Sequence, residues 1–159
     1  MKEFMIRIWL DNKVGGHENL HVDLPKINYS KIADTYYFAL DNLFMPDDES
    51  KEKAVLNIKQ LLNYWCDAIQ RLKKDEVVFL PFDYSDEYIG CFRIKYLNND
   101  EITVDYGYTT EYEGCMFRPS QFLSFKMNDE NYNITTDSFQ CEKYEFIKDI
   151  NLSIKSLTK

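Results

Sequence analysis

The sequence predicts an α+β fold: an antiparallel sheet packed against a long helix over about 50–73 and a C-terminal helix over about 138–157. Three observations carry this. Several segments alternate apolar and polar residues with a period of two, the mark of half-buried strands. Two others repeat apolar residues every three or four positions, the mark of amphipathic helices. The 159 residues are 45% hydrophobic and 16% aromatic, enough apolar mass for one core, and they show no linker, repeat or low-complexity tract. One domain spanning 1–159, with five to seven strands, is the expectation.

Phe4, Ile6, Ile8 and Leu10 alternate with Met5, Arg7 and Trp9, and Leu20, Val22 and Leu24 resume the alternation. Between them lies Asp11-Asn12-Lys13-Val14-Gly15-Gly16, whose residues are turn formers. This predicts a hairpin of 3–10 and 18–24. Ser30 then stands as a helix cap before Ile32, Tyr36, Leu40 and Leu43 or Phe44, which predicts a first helix ending at Met45-Pro46. The second helix carries Val55, Ile58, Leu62, Trp65, Ile69 and Leu72 on one stripe. Acids crowd its start (Asp47, Asp48, Glu49, Glu52) and Arg71, Lys73 and Lys74 its end, both suited to the helix dipole.

From Val77 the period returns to two, and Pro81 assigns that strand to an edge or a strand end. Two strands follow, joined by Asn98-Asn99-Asp100. A three-residue connection pairs Ile94 with Val104 and Phe92 with Tyr106; a two-residue one sets apolar residues against polar ones. A slip of one residue exchanges the faces, so the first register is expected. It also pairs Arg93 with Asp105 on the polar face and Gly90 with Tyr108. Residues 121–135 suggest a further hairpin turning at 128–131. Phe139, Lys143, Ile147, Ile150, Ile154 and Leu157 predict the last helix, with Asp137 as its cap.

The formal charge is −8 and the pI about 4.8, which argues against a nucleic-acid partner. No apolar run reaches the ~20 residues of a spanning helix, so no membrane association is expected. Charges at Glu3, Arg7 and Asp11 interrupt the N-terminus, so a secretory leader is not expected and the chain is placed in the cytosol. His17 and His21 fall on loop and strand, where i and i+4 lie roughly 13 Å apart, so they make a poor metal pair. Cys66, Cys91, Cys115 and Cys141 form no C-x-x-C pair and are expected to be free thiols. There is no glycine-rich phosphate loop of either standard kind, and no cofactor is expected.

Charge and aromatic residues coincide between Asp83 and Glu113. Eight acids lie there against only Arg93 and Lys95, alongside six tyrosines. Tyrosine offers rigid contact area with a polar tip, and acids around it steer a basic partner. In the expected register Ser85–Tyr88 lies beside Thr110–Glu113, which gathers Asp86, Glu87, Glu111 and Glu113 into one patch. The candidate partner-binding residues are Asp83, Tyr84, Asp86, Glu87, Glu111, Tyr112 and Glu113. The same carboxylates could serve as an acid and a base in a small enzyme acting on a cationic substrate, although no nucleophile accompanies them. An adaptor for another basic protein is a further alternative.

The stretch Phe79-Leu80-Pro81-Phe82-Asp83-Tyr84-Ser85-Asp86-Glu87-Tyr88-Ile89-Gly90 is followed by Tyr106-Gly107-Tyr108, Glu113-Gly114 and Arg118-Pro119-Ser120. It resembles a pattern, LPFDxSDxYxG … YGxT … EG … PS, of small bacterial immunity proteins in contact-dependent inhibition and other polymorphic toxin systems. The resemblance covers about a quarter of the chain. It implies a non-enzymatic cytosolic protein that binds and neutralises one cognate toxin domain, often a nuclease with a basic surface. It implies no catalytic residues, and leaves open that Gly90, Gly107 and Pro119 serve the fold.

Overall fold

Strands β1 (Arg7–Leu10) and β2 (Asn19–Leu24) pair antiparallel with Ile8 opposite Val22 and Leu10 opposite Leu20. Their alternation puts Ile8, Leu20, Val22 and Leu24 in the core, as the hairpin reading requires. The structure, a computed structural model, describes residues 3–11, 18–44 and 50–157, apart from the side chain of Cys115. The Gly15-Gly16 turn, His17, Met45-Pro46 and the acids 47–49 lie outside the described residues.

The helix expected from Ser30 is instead mostly strand. Pro25–Ile27 form one 3-10 turn, closed by Asn28 at a φ of 51° with its N–H on the Pro25 carbonyl. The chain then returns as β3 (Tyr29–Asp34), with Leu24 opposite Tyr29 and Asn19 opposite Asp34. Tyr29, Lys31 and Ala33 face inward, while Ser30, Ile32 and Asp34 are exposed. Pairing with β2 satisfies the backbone that a helix would have left as a bare strand edge. Ser30 Oγ donates to Asp23 Oδ1 at 2.6 Å and caps nothing. Only α1 (Tyr36–Leu40) is helical in this stretch.

The long helix α2 (Lys51–Arg71) forms as expected. Ser50 Oγ accepts the Lys53 N–H at its start, and Ile58, Leu62, Trp65 and Ile69 are buried. Trp65 meets Phe82 and Phe92 edge-on at 5.9 Å, tying the helix to the larger sheet.

That sheet comprises β4 (Val77–Tyr84), β5 (Ile89–Tyr96), β6 (Glu101–Thr109), β7 (Asn133–Ile134) and β8 (Phe139–Glu142). The sheet order makes β4 an edge strand carrying Pro81, with a register shift between Pro81 and Asp83. The β5–β6 register is the one argued from the sequence: Phe92 opposite Tyr106, Arg93 opposite Asp105, Ile94 opposite Val104, Gly90 opposite Tyr108. Asn99 and Asp100 adopt positive φ to close the connection.

Three expectations are corrected. The strands form two sheets rather than one, β1–β2–β3 and the five-stranded sheet, which meet at β3 and β4. Residues 121–135 form no hairpin. Pro119–Ser124 and Asp129–Asn131 are 3-10 turns, and only Asn133–Ile134 joins β6. The final helix begins later, as α3 (Lys143–Ser156), because residues 139–142 pair with β6 as β8 and bury Cys141 against it. The residue before α3 is Glu142 rather than Asp137. Among the described residues no helix is long and apolar enough to cross a membrane.

Candidate functional site

The β4–β5 turn and the segment after β6 meet at one end of the larger sheet. Within the turn, Ser85 N–H donates to the Tyr88 carbonyl at 3.1 Å, and Ser85 Oγ accepts the N–H groups of Glu87 and Tyr88. After β6, Thr109 Oγ1 accepts the Glu111 N–H at 3.1 Å. The two segments are joined by Gly114, whose N–H donates to the Ser85 carbonyl at 2.6 Å. A side chain at position 114 would collide with the Ser85 backbone, so only glycine allows this approach.

Four of the sequence-derived site residues are exposed at this junction: Asp86, Glu87, Glu111 and Glu113. Asp86 accepts a hydrogen bond from the Tyr37 hydroxyl of α1, and Glu111 accepts one from Asn131 Nδ2 at 2.6 Å. Among the described residues, no Lys or Arg forms an ion pair with Asp86, Glu87 or Glu111. Carboxylates without a cation partner leave their field available to an approaching positive surface.

The other three candidates lie lower. Asp83 is 4% exposed and Tyr84 3%, so both belong to the support beneath the patch rather than to its surface. Asp83 Oδ2 pairs with Lys31 Nζ at 3.1 Å and accepts the Tyr106 hydroxyl at 3.3 Å. Burial, with Asp41 and Cys91 nearby, pushes the Tyr84 phenol far above its ordinary range and keeps it neutral. Tyr112 is half-buried: its hydroxyl donates to the Lys126 carbonyl at 3.1 Å, and its ring packs edge-on against Phe117 at 4.9 Å. The sequence reading expects Tyr84 at the binding surface; the register shift between Pro81 and Asp83 moves the strand's faces, so alternation alone does not place it.

The sequence reading missed the residues that hold the loops: Tyr37, Asn131 and Gly114. Only Gly114 carried a signal, the Glu113-Gly114 pair within the family-like pattern. Gly90 and Gly107 face the Tyr106 hydroxyl with Asp83, and Tyr132 with the Asn133 carbonyl, at distances that leave no room for a side chain.

Among the described residues, the thiols of Cys66, Cys91 and Cys141 are held in their neutral form. Burial, helped by Asp67, pushes Cys66 up to about 11, and burial pushes Cys141 up to about 12 and Cys91 higher still. His21 stacks on Trp9 at 5.0 Å and pairs with Asp11 at 3.2 Å. Among the described residues no three His, Cys, Asp or Glu side chains gather as metal ligands.

No family model, no curated protein and no solved structure matches this chain.

Proposed function

We propose that this chain is a non-enzymatic immunity protein of the cytoplasm, which binds and neutralises a cognate toxin domain with a basic, nuclease-like surface. The observation that carries this reading is the Gly114–Ser85 hydrogen bond, which brings exposed acids of two loops to one sheet end. The resemblance of residues 79–120 to immunity proteins supports it from a separate direction. Asp86, Glu87, Glu111 and Glu113 steer the basic partner, and the exposed part of Tyr112 supplies contact area between them. Asp83 and Tyr84 hold the turn from below.

The test is to co-express the chain with the toxin domain encoded beside it. Protected cells and an isolable complex are expected. Association should be fast at low salt and slow down as salt screens the acids, because the Debye length falls to about 8 Å at physiological ionic strength. Glu111→Lys combined with Glu113→Lys should lower the association rate by about tenfold or more, while changing dissociation less. Cells that die equally with and without the chain, together with no measurable complex, would overturn the reading. Protection that survives replacement of all four acids would move the binding site elsewhere.

A further inference from the structure

The edges of the two sheets differ. Helix α3 closes the outer edge of β1: Ile8 N–H donates to Ser153 Oγ at 3.1 Å, and Met5 N–H, just before the strand, to Asp149 Oδ2 at 2.7 Å. The outer edge of β4 is open. Tyr96 N–H donates to the Glu76 carbonyl at 3.1 Å, and Val77 stands opposite Lys95. Bonded and unbonded pairs alternate along an antiparallel ladder. Val78 and Leu80 therefore bond to β5, while Val77 and Phe79 turn their N–H and C=O groups away from it. Among the described residues nothing bonds these four groups. Pro81, the next residue on that side, has no N–H, so the open edge is Val77–Leu80.

This edge borders a groove of about 460 Å³. Besides Val77–Phe79 it is lined by Ala68 of α2 and by Phe122, Leu123, Phe125 and Met127. Leu123 is 72% exposed, the most of any large apolar side chain among the described residues. Lys126 is the one charged residue of the lining, and among the described residues it forms no ion pair. The groove thus joins three features: main-chain donors and acceptors in strand spacing, apolar walls and one unmatched cation.

We propose that the β4 edge takes up an extended segment of another protein that carries apolar side chains and a carboxylate on one face. Its main chain forms four hydrogen bonds with Val77 and Phe79, as strand addition requires. Alternate side chains of the added strand enter the groove, and its carboxylate meets Lys126. A second copy of this chain fits less well, because its own β4 edge, Val77–Phe82, carries no carboxylate. The groove includes none of Asp86, Glu87, Glu111 and Glu113, so this site stands or falls apart from the toxin-binding reading.

The probe is the synthetic peptide acetyl-Glu-Thr-Val-Thr-Val-Thr-Glu-amide. Its valines and both glutamates share one face, and either strand direction presents a glutamate to Lys126. With peptide at about ten times its Kd, amide hydrogen exchange at Val77 and Phe79, read by NMR, should slow about tenfold. The amides of Val78 and Leu80, already bonded to β5, should change little. A twin methylated on its main-chain nitrogens should give no protection. A twin with Lys for Glu should bind about threefold more weakly, and Lys126→Glu should reverse that preference. Leu123→Asp, at an exposed position, should weaken binding of the acidic peptide without altering the circular dichroism. Unchanged exchange at Val77 and Phe79, equal binding of the methylated twin, or a charge preference indifferent to Lys126→Glu would overturn the proposal. So would displacement of the peptide by decanoate at equal affinity, which would mean a site for a small apolar acid. Concentration-dependent protection without peptide would overturn it too, by giving the edge to a second copy.

Discussion

Lys31 Nζ lies 3.1 Å from Asp83 Oδ2, joining β3 to β4 where the two sheets meet. The pair sits among tyrosines: the rings of Tyr88 and Tyr106 are centred 5.7 and 5.9 Å from the ammonium, and Tyr29 stacks on Tyr106. Burial works against the charge on Lys31, but Asp83 and Tyr88 outweigh it and hold its pKa above the ordinary 10.5. A pKa raised on folding stabilises the fold fully below the unfolded value, and that contribution is lost as pH rises through the folded one.

Lys31→Met should therefore cost about 3 kcal/mol, chiefly because it leaves Asp83 buried and uncompensated. Adding Asp83→Asn should recover much of the loss, since both charges are then gone. Urea denaturation of the two singles and the double measures this. The advantage of the natural chain over Lys31→Met should hold from pH 7 to about 10 and shrink only above the ordinary lysine pKa. A double variant as unstable as the sum of the singles would show that the pair does not act as a unit.

Arg93 and Asp105 pair on the polar face in the expected register, and the carboxylate there is buried. Asp105 is 3% exposed, held by Arg93 Nη2 at 2.9 Å and by the Tyr132 hydroxyl at 2.7 Å. The Arg93 guanidinium lies 4.9 Å from the Tyr132 ring centre and also reaches Asp129. A surface pair contributes about 0.2–1 kcal/mol; this one, with Asp105 buried and Tyr132 against the guanidinium, should matter more. Tyr132→Phe removes one donor from a buried carboxylate and should cost about 1–3 kcal/mol by chemical denaturation. A change under 0.5 kcal/mol would place the hydroxyl's partner in solvent.

Leu62 is 2% exposed on the inner stripe of α2. Leu62→Ala should lower stability by about 2–5 kcal/mol, the lost burial plus the cavity left behind. A loss below 1 kcal/mol would mean that the helix turns another face to the core.

Gly114→Ala forces a methyl group into the Ser85 backbone. The loops must separate, and the expected cost is about 1–3 kcal/mol. Faster hydrogen exchange at the amide of residue 114, read by NMR, should accompany it, with weaker toxin binding as the acids move apart. An amide as protected as in the natural chain would show that the loops tolerate the added group.

The hairpin of β5 and β6 was legible because one face is apolar and the pleat repeats every two residues, so only one register buries Phe92, Ile94, Val104 and Tyr106 together. Helix α2 was legible because its apolar stripe runs unbroken from Val55 to Leu72, with acids at its start and basic residues at its end. The acidic loops were placed side by side by the same register, though not the contacts of Tyr37 and Asn131 that hold two of the acids.

Residues 30–34 and 139–142 show where periodicity fails. Short apolar spacings such as Ile32–Tyr36–Leu40 fit a helix as well as they fit a strand followed by a turn. What decided them was a strand edge in need of a partner: β2, just before in the chain, for 29–34, and β6, far earlier in the chain, for 139–142. Local patterning thus determined the α+β class, the long helix and the central register, because each depends on contacts near in the chain or on a strict period. The split into two sheets, the burial of Asp83, Tyr84 and Asp105, and the closing of the β1 edge by α3 were decided by tertiary structure. Those features depend on which strand edges and buried charges find partners, and such pairings arise only once distant segments meet.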